Sequence, residues 1–141
     1  MTERDYILRQ IEMLGAVLIA LRKKILGQEL ESSEVESRLS ETSAKGGMAL
    51  DLARATSPDT LRMLIAPTGE IEPGRCWIMA ETLYLDGLQG QLEGDEARAM
   101  DSLAKAHMLF SLLKPMGAFL VGFPEASERI EEIDDLLKSG S

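Results

Sequence analysis

Ile7, Ile11, Leu14, Leu18, Leu21 and Ile25 follow one another by steps of four and three in alternation. Only a helix brings residues at that spacing onto one face, so the pattern predicts a long N-terminal helix over residues 2–27 with a coiled-coil-like seam. Leu8, Met13, Val17 and Ala20 add apolar surface beside the seam. A face that wide implies contact on two sides, with the core of the chain and with a second subunit. Asp5 and Arg9 are spaced as an i,i+4 pair, Lys23 and Lys24 sit near the end where positive charge is favoured, and Gly27 is placed as a C-cap. The expected assembly is a homodimer through Ile7, Ile11, Leu14, Leu18 and Leu21.

A second helical pattern starts near Ser33, where the Ser33-x-x-Glu36 spacing suits a capping box. Leu39, Thr42, Gly46, Ala49 and Ala53 continue a four-three seam through two adjacent glycines, Gly46 and Gly47, which predicts a kink or a tight helix contact there. Ser57-Pro58 opens a short third helix with Leu61, Leu64 and Ile65 inward, ending before Pro67, and 68–72 form a connecting loop.

The firmest local pattern lies between residues 73 and 114. Pro73 suits the first turn of a helix because its missing N–H has no partner there in any case. Ala80, Leu83, Gly87 and Gly90 then share one narrow face, with Trp77 and Tyr84 beside it. Glu93-Gly94-Asp95 provides the reversal, with Asp95 able to cap the next helix, whose face carries Ala99, Leu103, Ala106, Phe110 and Leu113. Small side chains on both faces allow two backbones to approach closely, as in an αα-hairpin. After Pro115, the apolar run 116–123 contains Phe119, Leu120, Val121 and Phe123 and reads as a buried connection, an edge strand or a surface patch, burial being favoured because exposure would invite aggregation. Pro124 opens a last helix over 124–138, with Ile130, Ile133 and Leu137 inward and its carboxylates on a solvated face.

At Gly87, Ala99, Leu103 and Ala106 the hairpin resembles a tetratricopeptide-type (TPR) repeat, a helix-turn-helix unit of about 34 residues. In that register the motif's leucine before the glycine is Asp86 and its tyrosine is Gly90; the register that sets Trp77 and Tyr84 on the motif's aromatic positions loses the second-helix alanines. The resemblance spans roughly 40 residues and implies a protein-binding scaffold. No second repeat recurs along the chain. The opening Asp5-Tyr6-x-x-Arg9-Gln10-Ile11-Glu12-x-Leu14 is similar to the start of an uncharacterised family of short bacterial helical proteins, some with TPR-like ends, which implies architecture and no particular chemistry.

Composition sharpens this picture. A chain of 141 residues is long enough for one domain with a sizeable core, and apolar content of 45% with 4% aromatics fits an all-α class, here a compact antiparallel helical bundle with one TPR-like hairpin. A net charge of −9 and a pI near 4.6 disfavour nucleic acid and anionic membranes as partners. The longest uncharged run, Met13 to Leu21, is far short of the roughly 20 apolar residues that cross a bilayer. The basic trio Arg22-Lys23-Lys24 leaves open an amphipathic membrane-surface helix, less favoured because the polar face is mixed in sign. One cysteine excludes an internal disulfide, and the charged opening does not read as a signal peptide, so a cytoplasmic location is expected.

Candidate chemistry is sparse. One His and one Cys rule out a four-ligand Cys/His zinc site, no Glu-x-x-His pair is present, and no glycine-rich phosphate loop follows a strand, so neither metal nor cofactor is expected. Hairpin geometry brings Cys76 within reach of His107, which permits a reactive thiolate; the plainer reading is a buried thiol beside a hydrogen-bonded histidine, and the chain is read as a non-enzyme. Eight methionines are many for this length, and Met79, Met100 and Met108 share the hairpin with Arg75, Trp77, Tyr84 and His107. Core filling is the favoured reading of these side chains, and if a groove for an apolar peptide exists, those seven residues are its candidate lining. The functional expectation is a self-associating TPR-like interaction or scaffold protein binding a protein or peptide; a small-molecule sensor with an apolar pocket near Trp77 is the alternative.

Overall fold

A computed structural model describes residues 2–116 and 123–139. All regular structure in them is helical: α1 (Glu3–Leu26), α2 (Ser32–Lys45), α3 (Leu50–Ala55), α4 (Pro58–Ile65), α5 (Pro73–Leu92), α6 (Glu96–Leu113), a 3₁₀ turn at Lys114–Met116, and α7 (Ala126–Ser139). The all-α class follows directly. The apolar run after Pro115 falls largely on 117–122, outside the described residues; at its edges Met116 is exposed and Phe123 packs against the core.

Local chemistry accounts for most boundaries. Thr2 and Asp5 form a reciprocal capping box at the start of α1, which engages the Asp5 carboxylate with the Thr2 N–H. Ser57 Oγ accepts from Thr60 N at the start of α4, Glu72 accepts from Gly74 and Arg75 N ahead of Pro73, and Asp95 accepts from Arg98 N at the start of α6. Each satisfies an N–H group that a helix start leaves without an intrahelical partner. The Ser33–Glu36 capping box does not form: Glu31 is the N-cap of α2, without a side-chain cap bond, and the Glu36 carboxylate instead binds Arg54. Nor does the second helix run on through the glycine pair. Gly46 caps α2, Gly47 turns with φ +108°, and the chain restarts as α3.

The organising element is α5. Every residue from Cys76 to Gly90 is buried, so this helix has no solvent face and stands as a pole about 30 Å long inside the other helices. Successive contacts give the directions of its neighbours. α6 returns antiparallel, through Gly90 against Ala99, Gly87 against Leu103, and Cys76 Sγ against Leu109 O. α2 is also antiparallel, through Gln89 with Ser32, Met79 with Ser43, and Ile78 against Gly46. α1 runs parallel to the pole, with Ile11 on Gly74 and Arg22 on Tyr84, as does α7, with Pro124 on Trp77 and Arg129 on Glu81. α3 closes the remaining side through Arg54 to Asp86, and α4 packs on α6.

Close approach of α5 and α6 depends on the small residues between them. A Cβ added at Gly87 would lie 2.5 Å from Leu103 Cγ, and one at Gly90 would lie 3.1 Å from the Ala99 amide nitrogen. Leu103 is fully buried, and the clash falls on its branch carbon, which a simple rotation of the side-chain tip does not relieve. Gly87→Ala is therefore expected to lower stability by about 1–3 kcal/mol through overpacking, despite alanine's better helix propensity. Thermal unfolding checks this; an unchanged midpoint would mean that α6 yields at this contact.

Candidate functional site

Burying α5 on every side takes two carboxylates out of water, and each is met by arginines from the surrounding helices. Asp86 accepts from Arg54 Nη2 at 2.6 Å, Arg98 Nη2 at 2.7 Å and Ser102 Oγ at 2.6 Å, while Arg54 also forks onto Glu36 and Arg98 reaches Glu93. Burial pushes the Asp86 carboxyl up, but the hydrogen bonds from Arg54, Arg98 and Ser102 outweigh it and hold the group below its ordinary value. On another side of the pole Glu81 takes a two-pronged contact from Arg129, Nε to Oε1 at 2.7 Å and Nη2 to Oε2 at 2.8 Å. Burial drives the Glu81 carboxyl upward against the pull of that guanidinium, and the same pairing holds Arg129 more firmly protonated. Tyr84 extends this cluster by donating to Glu132 and accepting from Arg22 Nε, and the Arg129 guanidinium lies 4.9 Å from its ring centroid. Desolvation, then the bond to Glu132, pushes the Tyr84 phenol up to about 12.

Lys105 is a further buried charge. Its Nζ donates to Ala53 O at 3.1 Å, Arg54 O at 2.8 Å and Asp101 Oδ2 at 2.8 Å, so it satisfies two carbonyls at the open end of α3. Among the described residues no buried side-chain nitrogen or oxygen lacks a hydrogen-bond partner. These clusters tie helices together through groups that are each hydrogen-bonded.

The seven residues expected to share a groove are separated by the same burial. Trp77, Met79 and Tyr84 point into the core. The Trp77 indole donates to Pro124 O, and its ring packs on Phe123 with centroids 4.6 Å apart, so it is enclosed by protein. Arg75 is on the surface at the start of α5, and Met108 is half-buried against the core. Met100 is exposed, in a cleft of about 280 Å³ between the α5–α6 turn and the end of α7 that includes Leu103, Leu136 and Leu137. His107 reaches Asp134 on α7, Nε2 to Oδ1 at 3.1 Å, and Ser111 donates to the His107 carbonyl. Cys76 does not meet His107; its thiol donates weakly to Leu109 O, and burial pushes it up to about 12. The Cys76/His107 nucleophile is thus not assembled.

The seam of α1 has a corresponding fate. Ile11, Leu18 and Leu21 are buried, and Ile7 and Leu14 pack on the same core, so the residues expected to join two subunits are occupied within one chain. The apolar surplus remains on a neighbouring stripe: Tyr6, Met13 and Val17 are exposed, Met13 by 69%, and Gln10, Ala20 and Lys24 complete the stripe at steps of four and three. Beside it Ala16, Ala20, Lys23, Lys24, Glu29 and Phe123 line an open cleft of about 510 Å³. Met13, Val17 and Ala20 belong to the extra width that sequence spacing gave the first helix, whereas Tyr6 was not part of it; which stripe faced outward was decided by α5.

Comparison of the chain with protein-family models, curated proteins and solved structures gives no match. The outer face of α1 is the candidate site on geometry alone. Among the described residues no helix is long and apolar enough to cross a membrane, and no three His, Cys, Asp or Glu side chains are grouped to hold a metal ion.

Two expectations follow from the buried groups. Asp86→Asn should destabilise by about 3 kcal/mol at pH 7, because Arg54 and Arg98 lose a buried carboxylate. Since the folded carboxyl sits below its ordinary value of about 4, its contribution is complete above that pH and is lost as pH falls through the folded value, so the gap from the parent chain narrows below about pH 4. Urea denaturation at pH 7 and pH 3 measures both. For Cys76, an aromatic disulfide reagent should react with the folded protein only at the rate of unfolding, and rapidly in denaturant; prompt reaction in the native state would contradict the buried-thiol geometry.

Proposed function

We propose that this chain is a non-catalytic helical interaction module, scaffold-like in the manner of TPR proteins, and that its docking surface is the outer face of α1. The observation that carries the reading is the solvent-facing apolar stripe Tyr6, Met13, Val17 and Ala20 on a helix whose adjacent face is already committed to the core. Single exposed apolar residues are ordinary on any protein, whereas a stripe at helical spacing along one continuous helix is the form that helix-mediated recognition takes. The buried charges support a structural division of labour, since they are saturated and lie inside the bundle. A buried, unpaired thiol is also compatible with a reducing compartment such as the cytoplasm.

The test compares two exposed methionines. A photo-crosslinking amino acid placed at Met13, and in a separate chain at Met63 on α4, is irradiated in living cells. Discrete protein adducts are expected from position 13 and not from position 63, which is 70% exposed. Equal adduct formation at both positions, or none at position 13, overturns the reading. Met13→Glu with Val17→Glu should abolish the adducts of a crosslinker at Ala20 while changing folding stability by no more than about 0.5 kcal/mol per site, as expected of surface positions.

A further inference from the structure

Resting on the reading of the outer α1 face as a docking surface, we infer that its occupant is the same face of a second copy, the two α1 helices lying antiparallel about a two-fold axis between Met13 and Val17. Charge along the helix argues for the direction. Glu3 and Asp5 occupy the first turn, and Lys23 and Lys24 the last. Lys23 is exposed, and neither lysine makes an ion pair among the described residues. Parallel pairing would set the two pairs of lysines against each other. Antiparallel pairing sets Asp5 near Lys23 of the second copy, and does so twice by symmetry, as an isologous interface requires. The helix dipoles oppose favourably in the same arrangement.

Size along the stripe is complementary in the same sense. With Met13 of one copy level with Val17 of the other, Gln10 lies opposite Ala20 and Tyr6 opposite Lys24. The long Met13 side chain then falls beside Ala16 and Ala20, the small residues that floor the 510 Å³ cleft. Tyr6 places a ring face near an ammonium group. Tyr6 and Met13 thus lie in one half of the stripe and the small Ala20, with Ala16 beside it, in the other, an asymmetry that a two-fold axis turns into mutual fit.

The experiment uses two full-length chains carrying tags of different size, one with Gln10→Cys and one with Ala20→Cys. Cys76 remains in place because it is buried. The chains are mixed and treated with a short bis-maleimide, and the solution mass of each is followed over a concentration series by light scattering. A mass of twice the monomer, with cross-links between the two different chains, is the expected result. Positions 10 and 20 lie about 15 Å apart along the helix axis, so parallel packing would instead give cross-links between like chains. Like-chain products, a dimer mass without any cross-link, or a monomer at high concentration each overturn the inference. Lys23→Glu is expected to weaken the dimer about tenfold by replacing both attractive pairs with repulsive ones; an unchanged dissociation constant removes the charge basis for the antiparallel direction and overturns it. A monomer that still yields position-13 adducts with another protein sinks this inference and leaves the docking reading standing, whereas loss of both sinks both.

Discussion

Full enclosure of α5 is the constraint on which the other features depend. A helix with no solvent face must satisfy every polar side chain it carries from its neighbours, and this one carries Glu81 and Asp86 at positions that look toward different sides of the bundle. Removing a carboxylate from water is costly unless a cation and further donors accompany it. The arginines answering that need are spread over the chain: Arg54 on α3, Arg98 on α6 and Arg129 on α7, with Arg22 on α1 linked in through Tyr84 and Glu132. Apolar packing sets how close the surrounding helices come, while these pairs fix their register along the pole.

How much of this could be read beforehand depended on the range of the interaction. The reversal at Gly94 and caps such as Gly27, Ser57 and Asp95 are local, and the residues that make them stand within a few positions of one another. Small residues at Gly87 and Gly90 also reveal the close helix contact, because their spacing alone puts them on one face. Trp77, Met79 and Tyr84 fill the core, the favoured reading of them, for a geometric reason. Trp77 and Tyr84 lie off the small-residue face, which on a two-sided helix would make them surface residues, but α7 and α1 cover that side as well. Asp86 presented itself only as a departure from the TPR-like pattern; its partners Arg54 and Arg98 lie 32 and 12 residues away. Nothing in a single sequence links those positions. Ser33 and Glu36 show the same competition at short range, since the pattern for a cap was present and a bidentate guanidinium took the carboxylate instead.

On the proposed reading, the bundle separates stability from recognition more cleanly than composition suggests. Most of its unusual chemistry, the buried acids, the enclosed lysine, the displaced phenol and thiol titrations, belongs to the interior and rigidifies it. What is left outside on α1 is chemically plain: an aromatic ring, a thioether, a branched aliphatic and small residues in a row, bordered by charges of opposite sign at the two ends. A rigid support behind such a stripe limits the side-chain and backbone freedom that association would otherwise have to remove.

The position of Arg129 has a consequence for how the chain is made. Glu81 belongs to the fifth helix, and its cation arrives with the seventh, 48 residues later in the order of synthesis. Until α7 emerges, the carboxylate lacks the guanidinium that binds it in the bundle, and Trp77 lacks the segment that closes over its indole. A nascent chain therefore cannot close around its own central helix early. The interior is complete only once the last helix is in place.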